Sequence, residues 1–156
     1  MDIPDSMKSE LARWNNGAGI YLEAWASCSG NFSLAVGYLT VFWPEFLEFD
    51  GYILRSGFRV ESLRGFESGE GSTPKSVEWV MNHLHIADLH YGDADELSED
   101  KILVLANALK EIYQAKLAWQ FPHAPCIVEL YVPETEGELT DYQISFWQTK
   151  HESVVT

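Results

Sequence analysis

"APCIVELYV" (residues 124–132) and "DYQISFWQ" (141–148) decide the fold. At the two-residue period of a β-strand, the first sets Cys126, Val128, Leu130 and Val132 on one face. The second sets Tyr142, Ile144 and Phe146 on one face. The acidic, turn-forming "PETEGEL" (133–139) joins them, so the chain is expected to close on a β-hairpin. Glu129, between Ile127 and Tyr131, falls on the opposite face and is read as facing solvent.

Working back from the hairpin, Ser98 caps a long helix with Glu99 and Asp100 at its positive end. Ile102, Leu105, Ala106, Leu109, Ile112 and Tyr113 keep the helical period, and Pro122 follows the end. "GDADELSED" (92–100) is a loop before it. "ESGEGSTPKS" (67–76) reads as another loop, and within it Thr73 followed by Pro74 begins a helix striped by Val77, Val80, Met81 and Leu84. In "EFLEFDGYILR" (45–55) the period changes to two, and Asp50-Gly51 is either a hairpin turn or a bulge in one strand.

Near the N-terminus, Met7, Leu11 and Trp14 mark a helix over 5–15, stopped by "NNGAG" (15–19). A short helix over 20–28 follows, then a third from the cap Asn31 to about Trp43, where Pro44 forbids continuation. Residues 24–44 carry no charge, yet Ser, Gly, Asn, Thr and Pro interrupt them, which predicts a buried helix rather than a membrane span. The expected fold class is therefore α+β. One domain over 1–156 packs several helices on a small, mostly antiparallel sheet ending in the C-terminal hairpin.

With 46% hydrophobic residues and 13% aromatics, the chain has ample material for a core, which argues against disorder. Against 10 basic residues stand 24 acidic ones, and the formal charge of −14 repels phosphate backbones and anionic lipid. The expectation is no nucleic acid, no membrane and no cofactor. Cys28 and Cys126 are too few for a disulfide framework and sit among apolar neighbours. "MDIPDSMKSELARW" lacks the basic and apolar regions of a signal peptide, so the expected location is cytoplasmic.

"MNHLHIADLHYGD" (81–93) holds His83, His85, Asp88 and His90, residue types that bind metals. Each helical residue turns about 100°, which brings His83 and His90 nearly into line and leaves His85 on the far side. On a strand, His83 and His85 share a face and His90 points away. Neither period gathers all three, so the favoured reading is a helix end whose histidines are half-buried or cap the last carbonyls. "HLHIADLH" resembles the H-x-H-x-D-H signature of metallo-β-lactamase-like hydrolases with stretched spacing. "IADLHYGD" resembles the metallophosphoesterase opening without its two later segments. Cys126 and His123 make a poor nucleophile–base pair, and "GEGS" (69–72) lacks the lysine of a phosphate loop.

Charge placement says more. Residues 67–100 hold Glu67, Glu70, Glu78, Asp88, Asp93, Asp95, Glu96, Glu99 and Asp100, opposed by Lys75 alone; Arg55, Arg59 and Arg64 lie just upstream. Such a run is either a solvated face or a patch matched to a basic partner.

Three segments together resemble a family of small bacterial α+β proteins to which no activity is attached: "FWPEFLEFDGYIL", "SVEWVMNHLHIADL" and "KLAWQFPHAPCIVELY" with "DYQISFWQ". The shared pattern is W-P-E-F before D-G, N-H-x-H, and K-L-x-x-x-F-P leading into a hairpin that ends F-x-Q; it covers 43–51, 77–89 and 116–148. The resemblance implies a cytoplasmic bacterial protein with one α+β domain, and puts Asn82, His83 and His85 in its motif.

The sequence thus predicts a non-enzymatic acidic protein-binding domain, an immunity- or inhibitor-type protein that masks a basic partner surface. Asp93, Asp95, Glu96, Glu99 and Asp100 are the expected contacts, with Trp79 or Trp147 as aromatic anchors. The alternative is a metal-dependent hydrolase using His83, His85, Asp88 and His90. A homo-oligomer built on exposed aromatics is a third reading.

Overall fold

The structure is a computed structural model that describes residues 2–92, 96–135 and 137–152. The terminal hairpin forms as its alternation requires. β4 (Cys126–Tyr131) and β5 (Gln143–Gln148) pair antiparallel, with Val128 opposite Phe146 and Leu130 opposite Ile144. A two-residue strand, β3 (Leu84–His85), joins the other edge of β5, giving the order β3-β5-β4.

β5 is buried on both faces. Ile144 and Phe146 face the long helix α6 (Glu99–Gln120), packing with Ala106, Leu109, Tyr113 and Leu117. Each wholly buried side chain of this size contributes roughly 2–3 kcal/mol. Ser145 and Trp147 meet α5 (Pro74–Asn82), where Ser145 Oγ donates to Trp79 O at 2.6 Å and the Trp79 and Trp147 rings lie 5.6 Å apart. Trp147 is buried, which removes it as an exposed anchor.

A second sheet of two strands, β1 (Phe46–Phe49) and β2 (Tyr52–Arg55), settles the Asp50-Gly51 alternatives in favour of a hairpin turn. Phe49 pairs with Tyr52, and Asp50 and Gly51 take φ of 50° and 86°, the left-handed pair that matches strand twist. One face of the hairpin gives Phe46 and Ile53 to the main core. The other gives Leu54, Phe49 and Tyr52 to a smaller cluster with Leu63 and Val77. Leu63 belongs to α4 (Val60–Glu67), a helix absent from the sequence expectation; the loop expected from 67 begins only after it.

α1 (Asp5–Gly17) loses regular geometry at Trp14, where Asn15 and Asn16 turn left-handed, so "NNGAG" stops the helix as expected. α2 (Leu22–Ser29) and α3 (Phe32–Phe42) follow, with Asn31 Oδ1 accepting from Leu34 N at 2.9 Å as the cap. The expectation that residues 24–44 form a buried helix is wrong. Neither α2 nor α3 has a buried residue, and Phe32 is 91% exposed. α3 reaches the main core through Val41 and Phe42 at its C-terminal end, while of residues 32–40 all but the half-buried Tyr38 are exposed. No helix among the described residues is long and apolar enough to cross a membrane.

Candidate functional site

The stand-off of α2 and α3 opens a cleft of about 1180 Å³ between them, α1, the start of α6 and a short 3-10 turn at Ala87–Leu89. Its walls are apolar: Trp25 and Ala26 from α2, Leu34 and Ala35 from α3, and Ile102 and Leu105 from α6. Polar groups sit at the margin. Trp25 Nε1 donates to Glu10 Oε1 at 2.9 Å, and Lys101 Nζ meets Glu96 Oε2 at 3.2 Å. Glu23 completes the rim, which therefore carries three carboxylates against one ammonium. Tyr38 Oη and His90 Nε2 are hydrogen-bonded across the mouth, with their rings edge-on at 5.6 Å. The sequence missed this cleft, since its only signal was the uncharged run 24–44.

The expected acidic contacts are dispersed. Asp93 and Asp95 lie outside the described residues. Glu96 is on the cleft rim, while Glu99 Oε1 accepts from Tyr142 Oη at 2.5 Å and so raises that phenol's pKa. Asp100 joins two helices. It accepts from Ser6 N at 2.8 Å and Ser6 Oγ at 2.9 Å in α1, from Ser98 Oγ at 2.6 Å just before α6, and from Lys101 N at 2.9 Å within it. These donors, the Ser6 amide foremost, hold its carboxyl well below the usual range. Ser98 therefore does not cap α6 with its side chain; its hydroxyl is turned to Asp100.

Among the described residues, no three of His, Cys, Asp or Glu stand where they could share a metal ion. α5 ends at Asn82, so the histidines do not continue a helix. His83 Nδ1 lies 2.5 Å from Val80 O, the expected capping of a late carbonyl, and its ring is edge-on to His85 at 5.2 Å. His85 Nδ1 faces Thr140 O at 3.0 Å, whereas His90 is drawn to Tyr38 and Asp88 is exposed. Leu84–His85 turns extended because β5 offers it a pairing edge.

A different polar cluster is buried except at His151, which is partly exposed. Glu78, read among the surface acids, is 0% exposed, a correction that changes its role. Its Oε1 accepts from Ile53 N at 2.8 Å and Gln148 Nε2 at 2.5 Å; its Oε2 accepts from Gln148 N at 2.7 Å and faces His151 Nδ1 at 3.0 Å. One turn on, Asn82 accepts from Arg55 N at 3.1 Å and donates to Ile53 O at 2.8 Å and Phe146 O at 3.2 Å. The two side chains thus take the place of a backbone ladder between the β2 edge and the β5 edge. A carboxylate beside an imidazole also resembles half of a hydrolytic triad, but neither Cys126 nor Ser145 is poised to complete it. Burial first, then Glu78, pushes the Cys126 thiol up to about 12, and Ser145 Oγ is committed to Trp79 O. The cluster's bonds tie α5 to β2 and β5.

Compared with family models, curated proteins and solved structures, this chain matches none.

Proposed function

We propose that the chain is a non-enzymatic binding domain that receives an apolar, basic-flanked segment of a partner protein in the cleft between α1, α2, α3 and α6. The supporting observation is the cleft itself, which is apolar inside and rimmed by Glu10, Glu23 and Glu96. Its 1180 Å³ exceeds the roughly 300–1,000 Å³ of small-molecule pockets. It suits about ten residues of α-helix with their side chains, or about three turns. Apolar anchors at helical spacing would displace water from Trp25, Leu34 and Leu105, while lysines or arginines meet the rim. The −14 charge would steer such a partner in from a distance. This keeps the masking of a basic surface expected from the sequence, and moves its centre from the 93–100 stretch to the cleft.

A labelled amphipathic leucine–lysine helical peptide is the probe, with its leucine–glutamate counterpart as control. Fluorescence anisotropy should detect binding of the first and not the second. Ala35→Arg, at an exposed wall position, and the pair Glu10→Gln with Glu23→Lys should each weaken binding about tenfold, equivalent to about 1.4 kcal/mol. The charge pair should also flatten the salt dependence. Equal binding of both peptides, or indifference to all three substitutions, would count against the cleft.

A further inference from the structure

A second apolar stripe starts at Phe32, on the edge of the cleft, and continues along α3 and onto its C-cap through Val36, Leu39 and Trp43, none of which lines the cleft. Phe32, Val36, Leu39 and Trp43 are 91%, 65%, 62% and 51% exposed. Their spacing of four, three and four residues is the seam repeat of paired helices. Beyond Trp43 the stripe runs onto Trp119 of α6, 72% exposed, with the ring centroids 6.2 Å apart. Lys116 Nζ lies 4.5 Å over the Trp43 ring.

We infer that this stripe is the interface between two copies of the chain, α3 lying against α3 about a twofold axis. Area is the first argument. Two tryptophans, a phenylalanine, a leucine and a valine so exposed offer on the order of 700 Å² per copy, close to the ~800 Å² that a standard interface takes from each partner. Charge is the second. A twofold contact sets each patch against itself, so an acidic patch on a −14 chain repels its own copy. All of the stripe but Trp119 lies within residues 24–44, which carry neither acid nor base; beside it Lys116 is shielded by the two indoles, and Glu45 and Arg55, which share a hollow with Leu39 and Trp43, oppose each other in sign. A basic partner gains no charge pairing from this neutral stripe; a second copy escapes repulsion there. The cleft, with its acidic rim, is where the opposite holds.

Sedimentation equilibrium of the full chain across a wide concentration range tests it. The expected mass at high concentration is twice 17.7 kDa, and added salt should leave the dimer unchanged or tighten it. Val36→Glu with Leu39→Glu should raise the dissociation constant more than tenfold while far-UV circular dichroism stays native, since both positions are exposed. Leu39→Gln, a milder change, should weaken the dimer in the same direction. Val132→Glu, exposed on the hairpin side, should leave it intact. A 17.7 kDa mass at every concentration, a dimer that survives the double variant, or one that salt dissolves would each overturn the inference.

Discussion

Glu78 is the residue on which the two sheets depend. Its oxygens take the Ile53 and Gln148 backbone amides, which have no strand partner on that edge. A hydrogen bond to a charged group is worth roughly 1.5–3 kcal/mol, and an orphaned buried amide costs about 1–3. Glu78→Leu should therefore lower unfolding free energy by about 3–5 kcal/mol in urea titrations. Glu78→Gln, which turns an NH₂ toward one of those amides, should lose roughly half as much. Losses under about 1 kcal/mol for both would mean the bridge is dispensable. Nothing in the sequence distinguishes Glu78 from the other acids of 67–100. Its donors stand 25, 70 and 73 positions away, so the site exists only after the chain has folded. Asp100 was legible as a residue at a helix start, but its bond to Ser6, 94 positions away, was not.

Among the elements, those defined by local alternation or by caps were readable: α3, α5, α6 and the C-terminal hairpin all begin or pair where the sequence indicates. α4 was missed because it is eight residues long and buries only Leu63, too little for a period to register. The turn of the chain into β3 was missed because it depends on the edge of β5, supplied about sixty positions later. At this scale Asp100 is the joint between α1 and α6. Its folded pKa lies below the unfolded value, so the unfolded chain binds the proton more tightly and stability rises with pH through that window. The contribution is complete above about pH 5 and is lost as pH falls below the unfolded carboxyl value of about 4. Asp100→Asn should melt at a lower temperature than the natural chain at neutral pH. The gap between the two should close as the solution is acidified through this range. A gap that stays constant with pH would remove the charge of Asp100 from the account. Protection of the α1 amides from deuterium exchange, relative to their intrinsic rate at each pH, should fall as the pH is lowered through the same range.

For the molecule as a whole, the chain divides between a tightly filled half and a half left open. β5 is covered on both faces by α5 and α6, whereas α2 and α3 bury nothing fully. The uncharged run 24–44 is equally compatible in sequence with a core helix and with an uncovered one. What separates them is how many apolar partners the rest of the fold has left over: most of α6's stripe packs on the sheet, and of it Ile102 and Leu105 also line the cleft. The acids follow the same division: Glu78 is used inside, Asp100 between helices, and Glu10, Glu23 and Glu96 around the opening. That opening is the proposed receiving surface. Amide hydrogen exchange of the full chain, at one protein concentration, with and without the leucine–lysine peptide, tests it most directly. Slowed exchange is expected in α2, the first turns of α3 and α6, and residues 86–90, with the terminal hairpin unchanged. Slowing confined to 67–70, or absent from α2 and α3, would contradict it.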